Sequence, residues 1–156
     1  MTNHTFTATL RWTGNLGTGT SSYRAYGRDY ELSGPLKASA IAGSSAKTYR
    51  GDETRYNPEE LVVAALSSCH LLAYLHLCAD AGIVVTAYDD SAEGTMQTNP
   101  NGSGEFVEVM LRPRVQITDP ARRGEADALH ERAHEVCFIA RSVNFPVMCQ
   151  PATVSS

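Results

Sequence analysis

The longest apolar stretch, Asn57 to Gly82, carries hydrophobic residues on every side of a helix rather than in one stripe, the pattern of a helix buried all round. Its limits are marked by Asn57 as an N-cap, Pro58 at the first helical position, Glu59 and Glu60 where carboxylates suit the helix dipole, and Gly82 as the stop. Glu60 falls three residues after the cap and closes a capping box with it. The spacing predicts a core helix with Cys69 in its middle. Before it, Phe6, Ala8, Leu10 and Trp12 alternate with polar residues, as in a half-buried strand over Thr5 to Trp12. Ser21 to Leu32, with Tyr23, Tyr26 and Tyr30, reads as a second strand returning across the turn Gly14 to Thr20 as a hairpin. No helix or lysine follows that turn, so it is not a phosphate loop. Ser33 to Tyr56 has no clear period and reads as a long connection with one short strand.

After the core helix, Ile83 to Met96 and Phe106 to Ile117 alternate and predict antiparallel strands across the loop Thr98 to Gly104. Pro113 places its strand at a sheet edge or at a bulge. Asp119-Pro120 opens a second helix through Ala126, Leu129, Ala133 and Val136, continuing past Cys137 and fading near Asn144. Val147 to Val154 reads as a closing strand. This order predicts an α+β fold with helices packed on antiparallel sheets.

Composition adds limits rather than elements. The 156 residues predict one domain, 1–156, long enough to bury a core without metal or disulfide staples. The net charge of −4 is scattered, with no basic stripe, which argues against nucleic acid and anionic membranes as partners. The first residues lack the features of a secretory signal, so a cytoplasmic location is expected. Ser67, Ser68, His70 and His76 interrupt the core helix and two glutamates open it, which argues against a transmembrane role.

The chemistry lies in the cysteines. Four are present without any C-x-x-C, so neither a zinc ribbon nor a thioredoxin motif is available. Cys78 is nine residues beyond Cys69, about 180° round the helix and roughly 13 Å along it, too far for a disulfide. Of the remaining thiols, Cys137 on the second helix is favoured over Cys149 on the closing strand as the one to approach Cys69. Around Cys69, Ala65, Leu66, Leu72 and Ala73 leave room for a packed helix or a small ligand. A thiol in such apolar surroundings is inert unless a cation and a second thiol stand beside it.

The segment N-P-E-E-L-V-V-A-A-L-S-S-C-H, followed some seventy residues later by A-H-E-V-C-F-I-A-R-S-V, resembles the OsmC/Ohr family of osmotically induced and organic hydroperoxide resistance proteins. The resemblance extends over most of the chain, because the elements follow that family's order. It implies an intertwined homodimer in which each core helix is buried by both chains, and a thiol peroxidase with no bound cofactor. By the same resemblance Cys69 is the peroxidatic thiolate that reduces an organic hydroperoxide. Cys137 is the resolving thiol that closes a disulfide with it, and a dithiol such as dihydrolipoamide reopens that bond. Glu59 matches the glutamate that orients an arginine onto the reactive sulfur. Ten residues of helix, about 15 Å, separate Glu59 from Cys69, so it acts through an arginine or on the partner subunit's site. The family's arginine tends to come from the first hairpin turn, which here carries none. The candidates are Arg24, Arg28, Arg50, Arg55 and Arg141.

A different chemistry is also legible. His130, His134 and Cys137 are spaced four and three apart on one helix face, as metal ligands would be, and Cys69 or His70 can complete the set. That arrangement would make a metal-binding protein. The same fold holding a small apolar ligand is a third possibility.

Overall fold

The structure is a computed structural model that describes residues 1–155, with side chains to residue 154. Its chain forms two compact units, Met1–Leu61 and the segment from Val62 onward.

In the first unit, β1 (Thr9–Trp12), β2 (Tyr30–Ser33) and β3 (Ile41–Gly43) form an antiparallel sheet in that order. The expected hairpin is present, but its second strand starts at Tyr30 instead of Ser21. Arg28 causes the difference. Its guanidinium lies over the Tyr23 and Tyr26 rings, 4.3 and 4.1 Å from their centroids, and donates to the carbonyl oxygens of Tyr26 and Tyr23 at 2.5 and 2.7 Å. Carbonyls that a strand would use in its ladder are thereby taken by a side chain. The base of this loop is clamped where the Gly27 N–H donates to the Gly14 carbonyl at 2.8 Å. A Cβ on Gly14 would fall 2.0 Å from the Gly27 oxygen, so only glycine fits there. β1 is exposed along its whole length rather than half-buried, and among the described residues this unit buries no hydrophobic side chain. The connection to the helix holds β3, as expected, and a 3-10 turn at Lys47–Tyr49.

The core helix, α1 (Pro58–Asp80), begins as its sequence dictates. Asn57 Oδ1 accepts from the Glu60 N–H at 2.8 Å, and Glu60 Oε2 accepts from the Asn57 N–H at 3.0 Å. Gly82, with φ of 69°, takes the left-handed conformation that ends it. The helix is not buried all round in the single chain. Leu66, His70, Tyr74 and Cys78, four residues apart, form its buried stripe, whereas Leu72 is 68 % exposed.

The second unit contains β4 (Val85–Asp90), β5 (Glu93–Thr98), β6 (Gly104–Leu111), β7 (Pro113–Ile117), α2 (Arg123–Val136), β8 (Val147–Cys149) and β9 (Ala152–Ser155). They make two three-stranded sheets, β4-β7-β9 and β5-β6-β8. Each alternating stretch expected to be one strand is thus two, crossing between sheets at residues 91–92, at Arg112 and at residues 150–151. At the middle crossing the Arg112 N–H donates to Asp90 Oδ1 at 2.7 Å, and its guanidinium meets Glu93 at 3.1 Å. Pro113 opens β7, the central strand of its sheet, so it marks this crossing and not an edge. β8 and β9 join in parallel, while the other pairs are antiparallel.

Each sheet has its own core. Val115 and Ile117 pack with Tyr74, Cys78, Ala126 and Ala133 on one side, and Val109 and Leu111 pack with Leu66 on the other. Asp119 caps a 3-10 turn at Pro120–Arg122, accepting from the Ala121 N–H at 3.0 Å, and α2 follows. α2 stops at Val136 and does not continue past Cys137. Cys137 takes an extended backbone, φ −70° and ψ 112°, which turns its side chain inward to 1 % exposure.

Candidate active site

Two groups of side chains stand out in the second unit, and α1 contributes to both. Cys69, half-buried, comes from α1, and Cys137 comes from the end of α2. Both thiols are free, and Cys69 lies near enough to Cys137 to act on its proton. Burial pushes Cys137 up to about 11, its proton's interaction with Cys69 adds to that, and the Ala140 N–H, donating to Sγ at 3.4 Å, works against it. Cys78 lies apart, buried in the core beside Tyr74, as helix geometry required. Cys149 lies instead beside His70.

Glu59 belongs to the first unit and is half-buried. Its charge acts on Tyr30, whose phenol is raised by burial first and by Glu59 second. Two of the candidate arginines are occupied within that unit: Arg28 over its tyrosines, and Arg55 beside Asp29 at 3.4 Å and Asp52 at 3.7 Å. Arg24, Arg50 and Arg141 are exposed and, among the described residues, form no ion pair.

The second group is His70 on α1, His130 on α2 and Cys149 at the end of β8. His70 Nε2 lies 2.9 Å from His130 Nδ1, and Cys149 Sγ lies 3.7 Å from the same His70 nitrogen. The ring planes differ by 4° with centroids 5.3 Å apart, so the imidazoles meet edge to edge through their nitrogens. Tyr74 stacks on the face of His130 at 3.9 Å and fixes its plane. Burial lowers both histidines, His130 to about 4 with His70 as a second cause, so both rings are neutral near pH 7. Cys149 is pushed up to about 12 by burial and then by the Asp90 carboxylate. Among the described residues, His70 Nδ1, His130 Nε2 and the hydroxyls of Tyr74 and Tyr88 have no hydrogen-bond partner. Each such buried group costs about 1–3 kcal/mol.

The metal-ligand pattern expected on α2 therefore divides. His130 turns into the core toward His70, Cys137 lies near Cys69, and His134 lines an outer cleft. Cys149 was missed because it is 79 residues from His70. The available signal was a histidine within the i, i+4 stripe that the helix buries, since a buried imidazole needs a polar partner.

The sequence matches the family model described as OsmC-like protein over residues 51–150. No curated protein is matched. Among solved structures, it is similar to an OsmC-like protein of unknown function from Vibrio cholerae, at 30 % identity over 97 % of this chain and 99 % of that one, with a TM-score of 0.84. An organic hydroperoxide resistance protein from Elizabethkingia anophelis shares the fold at 18 % identity, 99 % of each chain and a TM-score of 0.67. So does an organic hydroperoxide resistance protein OsmC from Legionella pneumophila, at 19 % identity, 98 % of each chain and a TM-score of 0.64.

Proposed function

The chain belongs to the OsmC-like protein family, and from that premise we propose that it is a cysteine-based peroxidase that reduces organic hydroperoxides. The observation that carries the reading is the closeness of Cys137, just past the end of α2, to Cys69 on α1. Two of the structural relatives are described as organic hydroperoxide resistance proteins, which favours the same substrate class.

In the reaction, the Cys69 thiolate attacks the terminal oxygen of the hydroperoxide. The O–O bond breaks, the alcohol leaves with a proton, and Cys69 becomes a sulfenic acid. Cys137 then attacks the sulfenic sulfur. An S–S bond forms, and the sulfenic oxygen leaves with the Cys137 proton as water. A dithiol of the dihydrolipoamide type reduces the disulfide by two successive exchanges and is itself oxidised to its cyclic disulfide. Apolar neighbours on the Cys69 face, Ala65, Leu66 and Ala73, suit an alkyl substituent better than hydrogen peroxide. Glu59 is assigned a positioning role through an arginine, since about 15 Å of helix lies between it and Cys69.

The active form is a homodimer in which a second copy covers the outer face of α1. By length and composition this helix would suit a membrane, yet only 22 % of its apolar window is buried in the single chain. His70 and Tyr74 in its inner stripe and the sheets packed on it favour a protein partner over lipid.

Turnover with tert-butyl hydroperoxide and dihydrolipoamide tests the reading. Cys69→Ser abolishes peroxide consumption, and Cys137→Ser allows one turnover before Cys69 advances to its sulfinic acid. Unchanged turnover in Cys69→Ser overturns the assignment.

A further inference from the structure

His70, His130 and Cys149 are not used by the peroxidase chemistry. Their inner nitrogens and sulfur nevertheless lie within 4.8 Å of one another, brought together from α1, α2 and β8. We propose that these three residues bind one zinc ion per chain as a thiolate and two imidazoles, with a fourth position open to the neighbouring cleft.

The distances suit the ion. Zn–N of about 2.0–2.1 Å and Zn–S of about 2.3 Å in a tetrahedron put nitrogen and sulfur about 3.6 Å apart and two nitrogens about 3.3 Å apart. The N···S separation here is 3.7 Å, and the N···N separation of 2.9 Å is that of a hydrogen bond between the empty imidazoles. Entry of zinc shifts the donating ring to its other tautomer, moving the shared proton to that ring's outer nitrogen, and opens the pair by about 0.4 Å. The histidines are 1 % and 3 % exposed, and Tyr74 holds the His130 plane, so little ordering remains to be done on binding.

The surroundings supply charge and access. Both imidazoles are neutral and so present lone pairs, and the bound metal takes the place of the thiol proton on Cys149. Ser67 donates to Asp90 Oδ2 at 2.5 Å, holding a carboxylate whose field reaches both Cys149 and His70. His130 and Cys149 also line an open cleft of about 290 Å³, with Asp127, Glu131 and His134 around it. Its acidic residues attract a divalent cation, and its opening admits the water that fills the fourth position. This site does not depend on the peroxidase reading.

The test is a titration of reduced, metal-stripped protein with zinc chloride against a chromophoric chelator, with cobalt(II) as a spectroscopic substitute. One zinc per chain is expected, together with a thiolate-to-cobalt charge-transfer band. Cys149→Ser and His130→Gln weaken binding by about 100-fold or more, and Cys137→Ser leaves it within about threefold. In the unmutated chain, zinc slows alkylation of Cys149 located by peptide mass mapping, a readout that no folding defect in a variant disturbs. Absence of zinc binding, wild-type affinity in a folded Cys149→Ser or His130→Gln variant, loss of binding in Cys137→Ser, or unchanged alkylation of Cys149 in the presence of zinc would each overturn the proposal.

Discussion

Cys137 keeps its proton to about pH 11, from an ordinary value of 9.0, because burial disfavours the thiolate and the Cys69 sulfur adds to that preference. The sign follows directly. Between those two values the folded chain holds a proton that the unfolded chain has lost, so this thiol's contribution to stability is complete below pH 9 and is lost as pH rises through 11. Cys69→Ser removes the smaller cause and leaves burial, so iodoacetamide should modify Cys137 in that variant slowly at pH 7–8 and faster only toward pH 11. An alkylation midpoint at the ordinary value of 9.0 would contradict burial of this thiol. At this scale the closeness of Cys69 and Cys137 was legible, because one follows a capped helix start at a fixed spacing and the other ends a second helix. The His70–His130–Cys149 group was only half legible. Helical spacing pointed His130 toward His134 and Cys137, but the inward face of α2 at His130 meets α1, and Cys137 leaves helical geometry before the spacing can apply.

α1 was read accurately at its ends because capping is a local matter: Asn57, Glu60 and Gly82 act within a few residues. Asn57→Ala should therefore lower stability by about 1 kcal/mol, measured as a shift in the urea midpoint with an unchanged slope. A shift under a few tenths of that figure would mean that the cap contributes nothing beyond water. The strands were less legible. From Leu111 through Arg112 to Ile117 apolar and polar residues alternate without a break, since a strand that crosses from one sheet to the next keeps its inward and outward faces. Side chains impose the breaks, as where Asp90 takes the Arg112 N–H. In the first hairpin, the tyrosines around Arg28 likewise suggested a strand by composition, and the cation folded them into a loop.

On the scale of the whole molecule, all-round apolarity of α1 foretold more burial than one chain provides, and the unused face is the account's argument for a second copy. Sedimentation should give a dimer, about twice the 16.9 kDa chain, and Leu72→Glu should shift it to monomer by placing a charge on that face. A wild-type chain that sediments as a monomer at micromolar concentration would count against the intertwined assembly. The fold class needed no such partner to be recognised, because the order of hairpin, capped helix, strands, helix and strand survives the splitting of its strands.

The most direct measurement is the stoichiometric reaction of the reduced protein with one equivalent of cumene hydroperoxide, followed by peptide mapping without reductant. The account predicts one cumyl alcohol per chain, loss of two thiols, and a single Cys69–Cys137 disulfide with Cys78 and Cys149 still free. Four unreacted thiols, or a bridge from Cys69 to Cys149, would contradict it.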